Sequence, residues 1–177
     1  MYRIDALIKG ERKLFHTRDL ALLWEIEKEN TLYTQIKRYV KKGVLIPIHK
    51  GFYSTVPLEK INPILLGISC LHQYGYLSCE YVLAQEGVIF QQSSYITLLS
   101  SISKKFTLAS NNFLVRKLKE AFLYNDFGIE ETDGYKKANL ERAVTDILYF
   151  NPHYNFDNPK IIDWGKVAKV QKGVGYR

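Results

Sequence analysis

The sequence predicts an α+β protein in two parts. An N-terminal winged helix-turn-helix over residues 1–58 is followed by a mixed helix and antiparallel-sheet domain over residues 62–177. Three observations lead there. A basic, helix-periodic segment runs into two short β-rich runs between Thr31 and Pro57. A Pro-flanked stretch, Pro57 to Pro63, reads as a linker. Beyond it, short aromatic and β-branched runs lie between two segments of helical period.

Ile4, Leu7 and Ile8 have the i, i+3, i+4 spacing of a short first helix that Gly10 can end. Thr17 reads as the N-cap of a second helix, with Leu20, Leu23, Trp24 and Glu27 along one face and Asp19 in the first turn. A third helix is expected from Thr31, after Glu29-Asn30. Its inward face is Leu32, Ile36, Tyr39 and Val40, and Gly43 is its natural C-terminal stop. Val44–Ile48 and Phe52–Val56 then read as a hairpin joined by His49-Lys50-Gly51. Pro47 requires its strand to be an edge strand.

Charge gives this order a chemical meaning. The chain carries 25 basic and 18 acidic side chains, a net +7, and residues 1–60 hold +5 of it. From Asn30 to Leu58 there is no acidic residue, while Lys37, Arg38, Lys41, Lys42 and Lys50 all fall inside. Duplex DNA, with one negative charge per ~1.7 Å of axis, suits such a segment. Thr34, Gln35, Lys37 and Arg38 are assigned to base edges in the major groove. Tyr33, Lys41, Lys42 and Lys50 are assigned to the phosphate backbone. The plainer reading of the same residues is a solvated cationic face whose last turn offsets the helix dipole.

In the second part, Asn62-Pro63 reads as the start of a helix from Ile64 to Gln73, with Ile64, Leu65, Ile68 and Leu71 inward. Ser78 is a candidate N-cap for a helix closing at Gly87. Tyr95–Ser100, Phe106–Ala109, Phe113–Lys117 and Ala121–Tyr124 read as strands of an antiparallel set. A last strong helix runs from Leu140 to Phe150, and Asp157-Asn158-Pro159 can open one more, with Ile161, Ile162, Val167 and Val170 apolar.

Catalytic and metal-binding patterns are missing. His16, His49, His72 and His153 are scattered, and no phosphate-cradling glycine loop, G-x-S-x-G or H-E-x-x-H occurs. Glu130, Glu131 and Asp133 read as a solvated turn before Gly134, with metal-dependent nuclease chemistry as the alternative. Arg142 and Asp146 read as an ordinary i, i+4 helix pair. Cys70 and Cys79 lack C-x-x-C spacing and read as buried thiols. No apolar run approaches the ~20 residues of a membrane span, so a cytoplasmic, non-enzymatic protein without cofactor or metal is expected.

The order RYVKKGVLIPIHKGFYSTVP, YLSCEYVLAQEGVI and GIEETDGYKKANLERAVTDILYF resembles the AbiEi-type antitoxins and transcriptional regulators of type IV toxin-antitoxin, or abortive-infection, systems. The likeness covers about residues 14–150. Lys42, Gly43, Gly51 and Tyr53 match the helix-to-wing turn. Ser78, Glu80, Leu83 and Gly87 match the first motif of the second part, and Ala138, Glu141, Arg142, Ala143, Asp146 and Leu148 the second. The resemblance implies a repressor that binds double-stranded operator DNA and an antitoxin that neutralises a nucleotidyltransferase-like toxin. The alternative is a protein-interaction module holding such a toxin, with a winged helix that does not read DNA. Fewer residues follow Phe150 than in fuller members, which would leave less helical body for the antitoxin role.

Overall fold

The computed structural model describes residues 12–176 together with Asp5, Leu7 and Gly10. The protein is α+β, and the chain divides into two units, residues 1–62 and 63–177.

In the first unit, Asp5 and Leu7 are helical and Leu7 is buried, whereas Ile4 and Ile8 lie outside the described residues. The elements that follow are β1 (Leu14–His16), α1 (Thr17–Leu23), α2 (Glu29–Lys41), β2 (Ile46–His49) and β3 (Phe52–Ser54). The three strands form an antiparallel sheet in the order β1-β3-β2. Pro47 therefore stands on an edge strand, where its missing N–H leaves no central ladder bond unmade. Leu7, Leu20, Trp24, Ile26, Leu32, Ile36, Tyr39 and Leu45 form one core with Phe15, and Tyr53 packs against it.

Several boundaries differ from the sequence reading. β1 was not expected, because three residues are too few to show an alternation. Thr17 is the first helical residue of α1 and His16 holds the cap position; the Asp19 carboxylate accepts the His16 N–H at 2.7 Å. Thr17 instead serves the hairpin, its N–H donating to the Gly51 carbonyl at 2.9 Å. Leu23 is not a core residue but 38% exposed, since α1 ends there and Trp24 and Ile26 take the inward places. α2 begins at Glu29, two residues early, because an acidic residue in the first turn suits the positive helix end. Its other end is as expected: Gly43 N–H bonds to Val40 O and Val44 N–H to Tyr39 O, with Gly43 at φ +70°.

The second unit holds α3 (Pro63–Ser69), β4 (Gly75–Leu77), α4 (Cys79–Gln85), β5 (Ile96–Ser100), β6 (Lys104–Leu108), β7 (Asn111–Lys117), α5 (Glu120–Leu123), β8 (Ile129–Thr132), β9 (Tyr135–Ala138), α6 (Leu140–Phe150) and α7 (Trp164–Val174). Its strands form one six-stranded sheet in the order β6-β7-β5-β4-β9-β8.

That sheet is mixed rather than antiparallel. β5 pairs with β7 and β4 with β9 in parallel, while β4–β5, β6–β7 and β8–β9 are antiparallel. The β6–β7 hairpin accounts for the first of these, since it folds back so that β7 lies between β6 and β5, while β9 reaches β4 by a separate crossover. Ala121–Tyr124 is not a strand: Glu120–Leu123 form a single helical turn with only Leu123 buried, and four residues cannot separate the two periods. The acidic run is not simply a turn. Glu130 and Glu131 lie on edge strand β8, and the turn is Asp133-Gly134, both at positive φ. The expected helix at Asp157-Asn158-Pro159 starts later, because Asp163 caps α7 by accepting the Lys166 N–H, and Pro159–Ile161 form only a 3₁₀ turn.

Candidate nucleic-acid interface

The thirteen residues of α2 span about 20 Å, enough to lie along a groove. Leu32, Ile36 and Tyr39 are buried, which fixes the opposite face outward. Thr34, Lys37, Arg38 and Lys41, at i, i+3, i+4 and i+7, make one exposed stripe. Gln35 is half-buried at its margin and Tyr33 is 43% exposed. The Thr34 hydroxyl donates to the Asn30 carbonyl at 2.8 Å, so it has a bond within its own helix. Lys42 ends the helix and Lys50 sits exposed in the hairpin turn. All eight residues assigned to DNA therefore lie on α2, its cap or the hairpin.

None of Lys37, Arg38, Lys41, Lys42 and Lys50 forms an ion pair among the described residues. Among the described residues, the ion pair Arg12–Asp19 of this unit is elsewhere, at the start of α1. Five cations are thus open to an external anion, and their support is rigid. Phe52 is fully buried in β3, and Gly51, at φ +77°, is tied to the first residue of α1.

The second unit contains a polar centre that helix spacing did not reveal. Arg142 and Asp146 are both 0% exposed, and Arg142 Nε donates to Asp146 Oδ1 at 2.9 Å. The other guanidinium donors reach the Asn125, Phe127 and Phe122 carbonyls and the Tyr76 hydroxyl at 2.8–3.0 Å. Asp146 also accepts from Tyr76, Ser78 and Tyr176 hydroxyls. Ser78 therefore stands before α4 but spends its hydroxyl on Asp146. Every donor of the guanidinium and both carboxylate oxygens are satisfied, which is what lets charge stay buried.

Burial works against the Arg142 charge, but Asp146, Tyr76 and Tyr176 outweigh it and hold the guanidinium above its ordinary value. Burial, followed by the Asp146 charge, raises the Tyr76 and Tyr176 hydroxyls. The Cys79 thiol, at φ +55° on the first residue of α4, is likewise pushed up by burial, then by Asp146 and Glu80. A thiol held protonated is a poor nucleophile. Cys70 and Cys79 are both buried, and the two are not joined in a disulfide. Among the described residues no group of His, Cys, Asp and Glu is placed to hold a metal ion, and no helix is long and apolar enough to cross a membrane. The chain matches no protein-family model, and no curated protein is significantly similar to it in sequence.

Proposed function

We propose that this protein is a sequence-specific, non-catalytic DNA-binding repressor. Its first unit is read as a winged helix-turn-helix, with α2 as recognition helix and the β2–β3 hairpin as wing. The supporting observation is the exposed stripe of Thr34, Lys37, Arg38 and Lys41, whose three cations form no ion pair among the described residues, in the same unit as a hairpin that carries Lys50. On this reading Lys37 and Arg38 reach base edges while Lys41, Lys42 and Lys50 meet phosphates.

The proposal extends to the antitoxin of a type IV pair, working in the cytoplasm against a nucleotidyltransferase-like toxin. Its support is the motif resemblance, together with one contact: Ser78 of the first resembling stretch bonds to Asp146 of the second at 2.7 Å. The test uses duplex from the chain's own promoter beside a scrambled duplex of equal length. Promoter duplex should bind tighter, and affinity should fall with salt at a log–log slope of about −0.9 per neutralised phosphate. Equal binding of both duplexes at every salt concentration sinks the repressor reading. Co-purification with the product of a neighbouring open reading frame checks the antitoxin role separately.

A further inference from the structure

The second unit has a cleft of about 380 Å³ whose walls include Glu80, Gln91, Gln92, Tyr154, Asn155 and Asp157. Among the described residues, no lysine, arginine or histidine lines it. Of its two carboxylates, Glu80 is bridged through Oε1 by Arg116, while its Oε2 is enclosed without a hydrogen-bond partner. Asp157 accepts the Phe90 N–H at 2.7 Å through Oδ2 and forms no ion pair among the described residues. Glu80, Asp157 and Arg116 together leave one uncompensated negative charge. The Tyr154 hydroxyl registers that field: burial raises it first, then Glu80 and Asp157.

The surroundings are aromatic and open. Tyr154 packs on Phe156 and Phe156 on Trp164, with ring centroids 5.2 and 5.9 Å apart. Trp164 is 48% exposed and Phe90, bonded to the cleft through Asp157, 72%. Side chains this apolar and this exposed, rimming a polar depression, are the composition of a protein-contact surface.

We infer that this cleft receives one arginine side chain presented by a partner protein, the guanidinium facing Asp157 and the side-chain amides, with the partner's neighbouring apolar residues on Phe90 and Trp164. A single cation matches the single unbalanced charge. Arginine fits better than lysine because its planar fork can meet a carboxylate and amide oxygens at once and stack on a tyrosine ring. The exposed rim favours a protein-borne arginine over the free amino acid, which would leave the aromatics uncovered. The inference stands on the second unit alone and does not rest on the DNA reading.

Amide NMR titration of the full chain tests it with four probes: free L-arginine, the capped peptide Leu-Arg-Leu, its citrulline counterpart and capped Leu-Lys-Leu. The arginine peptide should shift Gln91, Gln92 and Asn155 resonances. It should bind at least tenfold tighter than the citrulline peptide and severalfold tighter than the lysine peptide or free arginine. In Asp157→Asn the preference for arginine over citrulline should fall to less than threefold. Citrulline binding as well as arginine on the unaltered chain overturns the proposal, as does an absence of shifts at these residues. Free arginine binding as tightly as the peptide overturns the partner assignment.

Discussion

Arg142 and Asp146, one helical turn apart on α6, form an ion pair from which solvent is entirely excluded. The guanidinium also ties down three carbonyls of the 122–127 segment, and the carboxylate gathers hydroxyls from residues 76, 78 and 176. An exposed i, i+4 pair is worth a few tenths of a kcal/mol. Here the relevant magnitude is the cost of stranding a buried charge, about 3–5 kcal/mol.

Arg142→Met should therefore destabilise the second unit by about 3–5 kcal/mol, measured as a lowered urea midpoint. Adding Asp146→Leu removes the stranded carboxylate but leaves the Phe122, Asn125 and Phe127 carbonyls without their donors. The double variant should stay well below the unaltered protein. Full recovery would show that the pair is replaceable by apolar packing.

Stability should decline at high pH. Tyr76 and Tyr176 have folded-state values raised above the ordinary value of about 10, so their contribution is complete below that pH and is lost as pH climbs past it. The unfolded chain then releases protons that the fold keeps, at about 1.4 kcal/mol per pH unit for each. Cys79 acts in the same direction from about pH 9. Urea titrations between pH 8 and 11 should show this slope, and Tyr176→Phe should flatten it.

Gly67 on α3 faces the Phe113 ring, and a methyl group at this glycine would stand 2.1 Å from Phe113 Cε1. Phe113 is fully buried and stacked on Phe106 at 4.8 Å. Gly67→Ala should cost about 1–3 kcal/mol through overpacking. Combining it with Phe113→Leu should cost less than the sum of the two single changes, because the shortened side chain makes room. Strict additivity in thermal or urea unfolding would count against this contact.

Two substitutions divide the proposed DNA contacts by task. Arg38→Ala should narrow the gap between promoter and scrambled duplex by about 1–3 kcal/mol, as loss of a base contact does. Lys50→Ala should weaken both duplexes alike and reduce the salt slope by about one. Fluorescence anisotropy at several salt concentrations separates the outcomes; interchangeable effects of the two variants would mean that neither reads sequence.

The sequence was most legible where local signals agree. Gly43 ends α2 as its backbone freedom demands, the α2 core face is the expected one, and Leu140–Phe150 is helical throughout. It was least legible where pairing is remote or elements are short. Leu77 meets Lys137 in the parallel β4–β9 ladder, and no periodicity within either segment announces a partner sixty residues away. β4 and β9 have only three and four residues, too few to show alternation. The basic stripe was readable because helix spacing alone turns it outward. The role of Arg142 was not, because its partners come from three separate stretches, Tyr76, residues 122–127 and Asp146, and helix spacing sets it opposite the apolar stripe of α6, where a charged side chain is ordinarily exposed.

The parallel ladder and the polar centre also fix an order of events during synthesis. The described strands of the first unit have their partners within the unit by Ser54, while the ribosome is still translating the second. β4 emerges soon afterwards but waits for residue 137, and Asp146 receives its last hydroxyl thirty residues later still, from Tyr176. At about 5–20 residues per second, the β9-facing edge of β4 and the unfinished charge stay open for several seconds. The nascent second unit is therefore the part of this protein whose pairing is completed last, within reach of the C-terminal end of the chain.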